Sequence, residues 1–509
     1  MAVRLKVPRY VLQRATSWQY SSGLYPPSGL RHYRRTNVFS KQEELFPMRL
    51  TLPENHGYVP MLSPTQVTTI LALNEASLLS GSQHASVGVV RSFDSNQLSS
   101  NNPIEDRRAV SRLVQTDGAL FGVFDGHGGA ACAQAINERL FEYIAVSLLP
   151  YDLLEKFYHS MKSDKPLALL ESHRFRNDYV SDDLEHLYRQ SLQKFVVETL
   201  SLSGVDDDAG DGAPSIIDRL KSAFCRMDDD ISAEALPVSG AVDEDLLEVA
   251  LSGACACTVH IQGLDVHIAN IGDCRSVIGE MDTGGRWTAW PLTVDHNIDN
   301  VDEAQRVRGE HPKNELNTVF KNDRLLGQLI PLRAFGDVRF KWSLADLKRL
   351  ISIMDSPYAQ SIIPMHYYTP PYLIARPQII HHRLTKNQKF LVIASDGLWE
   401  MMSNERVVEI VGDHLIGKKM IGHFSPGNYG RLSLGEINKV LRDRRRGLAH
   451  KKTDANGATH LIRHALGFEH RKVSEMLTFP PAISRHYRDD ITVIIVYFDE
   501  GYLSKVDEN

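Results

Sequence analysis

Apolar runs, and the polar residues that bound them, organise this chain. Leu120-Phe121-Gly122-Val123-Phe124 closes on Asp125-Gly126-His127-Gly128, and Phe390 to Ala394 leads into Ser395-Asp396-Gly397. Ile491 to Phe498 is introduced by Asp489-Asp490. Nearly continuous apolar runs of this length fit strands covered on both faces. Ala256 to Ile261 alternates small and branched residues, Gly263 can turn, and Asp265 to Ile271 alternates again, which predicts a β-hairpin. Ala131, Ala135, Phe141, Ile144 and Leu148 keep helical spacing, with Gln134, Asn137 and Glu138 turned outward. Gly128-Gly129 stands just before, so the loop after Phe124 feeds a helix N-terminus. A shorter helical pattern covers Val407 to Ile416, and there is no internal repeat.

Two segments read as insertions into this scheme. Residues 150–215 mix a charged helical pattern with the acidic stretch Asp206 to Gly212. A calcium-hand reading of that stretch fails, because starting at Asp207 puts Ala209 at the third position and Asp218 at the twelfth. Residues 418–455 carry the basic cluster Arg442, Arg444, Arg445, Arg446, Lys451 and Lys452, a solvated loop or a docking surface for an acidic partner.

The 509 residues are 42% hydrophobic and 24% charged, values of an ordinary globular protein. A net charge of −6 gives no polycation to bind nucleic acid. No run reaches the roughly 20 apolar residues of a membrane span. Five scattered cysteines argue against a disulfide framework, and Cys255-x-Cys257 lacks the second pair that a zinc finger needs. The N-terminus differs from the rest: residues 1–42 hold no Asp or Glu but carry Arg4, Lys6, Arg9, Arg14, Arg31, Arg34, Arg35 and Lys41 among serines. That is the composition of a mitochondrial transit peptide, with a disordered basic tail as the alternative, and residues 1–55 are set apart as a transit segment and linker. Residues 56–509 are read as a single domain.

With Glu105-Asp106 upstream, carboxylates stand at or near the boundary of an apolar run four times. Gathered at the rim of a sheet, they would make a hard-oxygen cage suited to Mg2+ or Mn2+. This series resembles the metal-dependent protein serine/threonine phosphatase family (type 2C). The blocks that carry the likeness are Glu105-Asp106, Phe124-Asp125-Gly126-His127-Gly128-Gly129, Ser252-Gly253-Ala254, Asn270-Ile271-Gly272-Asp273-Cys274-Arg275, Asp295-His296, Arg333-Ala334-Phe335-Gly336-Asp337, Ser395 to Glu400, and Arg488-Asp489-Asp490. They run from about residue 90 to 500. Further blocks, Phe93 to Leu98, Glu138 to Phe141, Asp323 to Gly327, Tyr368 to Leu373 and Ala458 to Ala465, are similar to one subgroup, the pyruvate dehydrogenase phosphatase catalytic subunits.

The resemblance implies an α/β (α+β) fold of two packed, mainly antiparallel sheets with helices on both outer faces. It implies two Mg2+ or Mn2+ ions, which would supply a nucleophile at neutral pH and offset phosphoryl charge. Asp125 would bridge the ions, Gly126 would offer its backbone carbonyl, and Asp396 and Asp489 would complete one shell. Glu105 would serve the other ion, Asp106 would orient water from behind, and His127 would be the general acid. Asp273 and Asp337, each after a glycine, are expected as turn or cap residues. Arg275, Arg333 and Arg488 are expected to pair with carboxylates behind the site.

Two departures matter. General members place an arginine four residues before the first glutamate to grip phosphate; Asn101 stands there, so phosphate binding rests on Asn101, the metals or a basic residue from elsewhere. Ala250 and Glu400 replace two aspartates of a third site, which argues against a third ion. The implied reaction is hydrolysis of phosphoserine on the pyruvate dehydrogenase alpha subunit in the mitochondrial matrix, reactivating that complex. Docking on a lipoyl domain of the acetyltransferase core, and sometimes a regulatory subunit, are further implications. The rivals are a mitochondrial phosphatase of other specificity and a pseudophosphatase, the latter disfavoured because Asp125, Asp396 and Asp489 are all present.

Overall fold

The computed structural model describes residues 61–78, 88–162, 166–175, 184–203, 214–237, 242–354, 359–421, 433–449 and 453–506. The basic N-terminal segment, the acidic stretch 206–212 and parts of 418–455 lie outside them. Its strands are β1 (Ala76–Leu78), β2 (Val90–Leu98), β3 (Arg107–Leu113), β4 (Ala119–His127), β5 (Leu170–Ser172), β6 (Gly253–Gln262), β7 (Asp265–Ile271), β8 (Arg275–Met281) and β9 (Trp287–Pro291), followed by the short β10 (Phe320–Lys321), β11 (Arg324–Leu325) and β12 (Phe335–Gly336), then β13 (Gln378–Arg383), β14 (Gln388–Ala394) and β15 (Ile491–Phe498).

Two antiparallel sheets result. One runs β1-β2-β15-β14-β8-β9 and the other β13-β7-β6-β4-β3-β5, with β12 added to β6. Period-two alternation sorts each apolar strand between two cores. In β15, Ile491, Val493 and Ile495 face helices, while Ile494 and Val496 face the opposite sheet. In β14, Val392 and Ala394 face the helices, and Leu391 and Ile393 the partner sheet. From the other side Phe121, Val123, Val259 and Ile268 complete the inter-sheet core. Helix Asn404–Ile421, longer than its apolar stripe predicts, covers the first sheet together with Gly457–Ala465. Helices Ala131–Leu148, Ile216–Ala235 and Glu244–Leu251 cover the second. The expected four layers are present, as is the hairpin of β6 and β7.

Helix Ala131–Leu148 is buried more fully than its stripe suggests, because helices Ile216–Ala235 and Glu244–Leu251 pack along it and the described part of the 150–215 segment adds to that cover. That segment forms helices Tyr151–Ser160 and Glu185–Ser203, whose Leu154, Phe157, Leu192, Phe195 and Val196 join the same core. Cys255 and Cys257 are buried strand residues with free thiols. Among the described residues, no helix is long and apolar enough to cross a membrane.

Candidate metal centre

Strand ends from both sheets deliver the acids to one place. Asp125 sits near the end of β4, Asp396 just after β14, and Asp273 in the turn between β7 and β8. One carboxylate oxygen from each lies within 4.8 Å of the others. The backbone N–H of Asp396 donates to Asp125 Oδ2 at 3.3 Å. Burial, and then the neighbouring charges of Asp396, Asp106 and Asp273, pushes the Asp125 carboxyl well above the usual range. Asp396 is pushed up likewise by burial, Asp273 and Asp489. Glu400 is raised by burial, then by Asp489 and Asp273. Like charges are crowded here at a cost that a divalent cation would remove. An all-carboxylate donor set fits Mg2+ or Mn2+.

Gly126 is explained by closeness: a Cβ there would collide with the carbonyl oxygen of Glu105. The Glu105-Asp106 pair is thus pressed directly against the Asp125 loop. Asp106 is fully buried and accepts a hydrogen bond from Ser395 Oγ at 2.7 Å; burial and then Asp490 hold its carboxyl well above the usual range. Adjacent acids at the start of β15 face different ways. Asp489 acts electrostatically on Asp125 and Asp396. Asp490 instead gathers the preceding loop, accepting from the backbone N–H groups of Asn101 and Glu105, each at 2.8 Å, and of Ser100 at 2.5 Å.

Asn101, expected to face the phosphate, turns to these acids. Its Nδ2 donates to Asp489 Oδ1 at 3.2 Å and to Asp490 Oδ2 at 3.1 Å, which uses both amide hydrogens. The side chain positions Asp489. Near the Glu105 carboxylate stands a cation that the sequence did not single out, Arg485, with its Nη1 3.9 Å from Glu105 Oε2.

His127 Nε2 lies 2.6 Å from Asp337 Oδ2. Burial alone would lower the imidazole pKa, but Asp337, with Asp273 and Glu105 beyond it, raises it overall. Asp337 precedes a short 3-10 turn without capping it through its side chain, and adopts a left-handed backbone with φ of 48°. Its carboxylate serves the histidine. A Cβ on Gly253 would overlap both His127 Nε2 and Asp337 Oδ2, so glycine opens the space for this pair. Behind the site, Arg275 makes a two-armed pair with Asp295, and Arg333 with Glu303, as expected. Arg488 departs from expectation: it donates to the backbone carbonyl of Ser99 at 2.7 Å, and burial lowers its pKa to about 10.

Sequence reasoning missed Asp273, Asp337, Asp490 and Arg485. The Gly-Asp pairs carried only a turn signal, and nothing local marked Arg485.

Comparison with known proteins agrees with this geometry. A family profile described as protein phosphatase 2C matches residues 178–446. The chain is 44% identical over 453 residues to the mitochondrial protein named [pyruvate dehydrogenase [acetyl-transferring]]-phosphatase 1 of Bos taurus, covering 86% of this chain and 83% of that one. It is 42% identical over 468 residues to phosphatase 2 of the same name from Homo sapiens, covering 89% and 86%. It is 30% identical over 452 residues to the Saccharomyces cerevisiae protein of the first name, covering 81% and 69%. With an acidic basin at the seam of two sheets and kinship over most of its length, the chain belongs to the protein phosphatase 2C family and is a metal-dependent protein serine/threonine phosphatase.

Proposed function

We propose that this phosphatase removes phosphate from serine on the pyruvate dehydrogenase alpha subunit in the mitochondrial matrix, reactivating the complex. The convergence of Asp125, Asp273 and Asp396 carries the chemistry. The names of relatives at 42–44% identity support the substrate. The acid-free residues 1–42 support the address. Docking on a lipoyl domain of the acetyltransferase core, with a regulatory subunit as a further partner, belongs to the same reading.

Asp125, the Gly126 carbonyl, Asp396, Asp489 and Glu105 would hold two Mg2+ or Mn2+ ions, with Asp273 close enough to join them. Bound there, the ions supply Lewis acidity and positive charge to the reaction. The protein's own groups do the rest. Asp106, fixed by Ser395, orients the attacking water from behind the ligands. Asp337 holds His127 through Nε2 and favours the imidazolium. The second proton, on Nδ1, is then available to the departing serine alkoxide. Asn101 fixes Asp489.

The test is to incubate purified protein with phosphorylated pyruvate dehydrogenase complex, with and without Mg2+. Metal-dependent phosphate release with recovery of dehydrogenase activity is expected. Release from a generic phosphoserine peptide but not from the complex would move the substrate elsewhere.

A further inference from the structure

A phosphoserine carries close to two negative charges, and the basin that must receive it is itself acidic. Around that basin most cations are committed. Arg275 is locked on Asp295, Arg333 on Glu303 and Lys341 on Asp228. Arg107 donates to Gln134 and to backbone carbonyls, and Arg488 to the Ser99 carbonyl.

Arg485 differs from all of these. Its side chain is 43% exposed, and its Nη1 is 3.9 Å from Glu105 Oε2, close enough for attraction but too far for a hydrogen bond. Within the described residues no hydrogen bond engages its guanidinium. The Glu105 carboxylate is only 1% exposed and its backbone is pressed against Gly126, so Arg485 stands on the solvent side of the residue that abuts the catalytic loop. Its backbone is well anchored. Ser484, the residue before, shares a 2.9 Å hydroxyl contact with Ser100, whose Oγ also donates to the Arg488 carbonyl at 2.8 Å. The tether thus joins Arg485 to the loop bearing Asn101 and Glu105.

We propose that Arg485 grips the substrate phosphate. A guanidinium fork offers two parallel donors to phosphate oxygens, and exposure lets it meet a phosphoserine arriving from solvent. The inference rests on the phosphatase reading above and deepens it by assigning the phosphate-binding cation that Asn101 does not provide.

The experiment compares wild type with Arg485→Gln and Arg485→Lys. KM and kcat are measured on a phosphoserine peptide, and inorganic phosphate binding to the Mn2+-loaded protein is measured by calorimetry. Loss of a charge-assisted contact should raise both KM and the phosphate Kd by about 10- to 100-fold in Arg485→Gln. Part of this should return in Arg485→Lys, with kcat changed far less. Unchanged phosphate affinity in Arg485→Gln would overturn the proposal. So would a changed Mn2+ requirement with phosphate affinity intact, which would mean that Arg485 only balances Glu105. Wild type that binds phosphate through Arg485 yet hydrolyses no phosphoserine would sink the phosphatase reading instead, so the two failures are separable. Equal thermal melts of the three proteins confirm that the variants fold.

Discussion

Two sets of buried carboxylates in this protein lie on opposite sides of the ordinary carboxylate range. At the seam of the sheets, Asp125, Asp396 and Asp106 are driven well above the ordinary carboxylate range, first by burial and then by one another. Away from that basin, burial would also raise Glu303, yet hydrogen bonds from Arg333 and Arg306 hold it at about 2. Asp454 is likewise held at about 2 by Arg463 and His460 against burial. Burial alone therefore does not separate structural acids from functional ones; the presence of a partner cation does. The structural acids bring their counter-charges with them, while the basin leaves its own to be supplied by metal.

This contrast can be broken most severely at Asp125. Asp125→Asn should cut kcat by at least about 10^3-fold, while the melting temperature of the metal-free protein stays level or rises, because a repelled charge has gone. A clear loss of metal-free stability would place Asp125 with the structural acids. The mirror experiment is Glu303→Gln, which strands Arg333 and Arg306. Chemical denaturation should show a loss of about 3–5 kcal/mol, with half-saturating Mg2+ unchanged. Smaller again is the effect of the metal itself. Mg2+ at 100 times its Kd should stabilise wild type by about 2.7 kcal/mol, and Asp125→Asn should lose most of that shift in a melt.

The smallest expected effect concerns pH in the structural region. Burial, and then Arg333, pushes His296 down to about 4, so it stays neutral in the fold while the unfolded chain takes up its proton near the ordinary 6.5. Its contribution is complete above about pH 6.5 and is lost as pH falls toward 4. Asp454, depressed to about 2, loses its contribution only below about pH 4. His296→Gln should thus lessen the slope of the stability profile between pH 6.5 and 4, to which His260 and His414, also pushed down to about 4 by burial, still contribute, and leave the lower limb alone. A slope unchanged in the upper window would show that His296 is not among the groups titrating there.

Much of this was legible because strand edges are local. Asp125, Asp396 and Asp489 each stand beside an apolar run long enough to be a strand, and the order of blocks carried the family and the layers. Asp273 was not legible: Gly272-Asp273 looks like any turn, and only the pairing of β6 with both β4 and β7 brings that turn to the end of β4. Asp337 lies 210 residues from His127, a separation over which no spacing rule reaches. Asp489 and Asp490 are chemically alike in sequence, and only the loop at Ser100 to Glu105 assigns them different work. The 150–215 segment looked peripheral because its apolar residues are sparse, yet they are the ones that complete the cover of helix Ala131–Leu148.

The place of β15 bears on how the molecule is made. It lies between β2 and β14, and Ser95 Oγ bonds to the carbonyl of Val493 across 398 residues. A ribosome adding roughly 5–20 residues per second finishes β2 some 20–80 s before its neighbour exists. Throughout that interval β2, and later the apolar β14, each present an open edge of unpaired backbone groups, of the kind that invites wrong partners. Asp489 arrives with the same late strand. The nascent chain therefore carries those edges unpaired until β15 is made, and its acidic basin is complete only once Asp489 has been added.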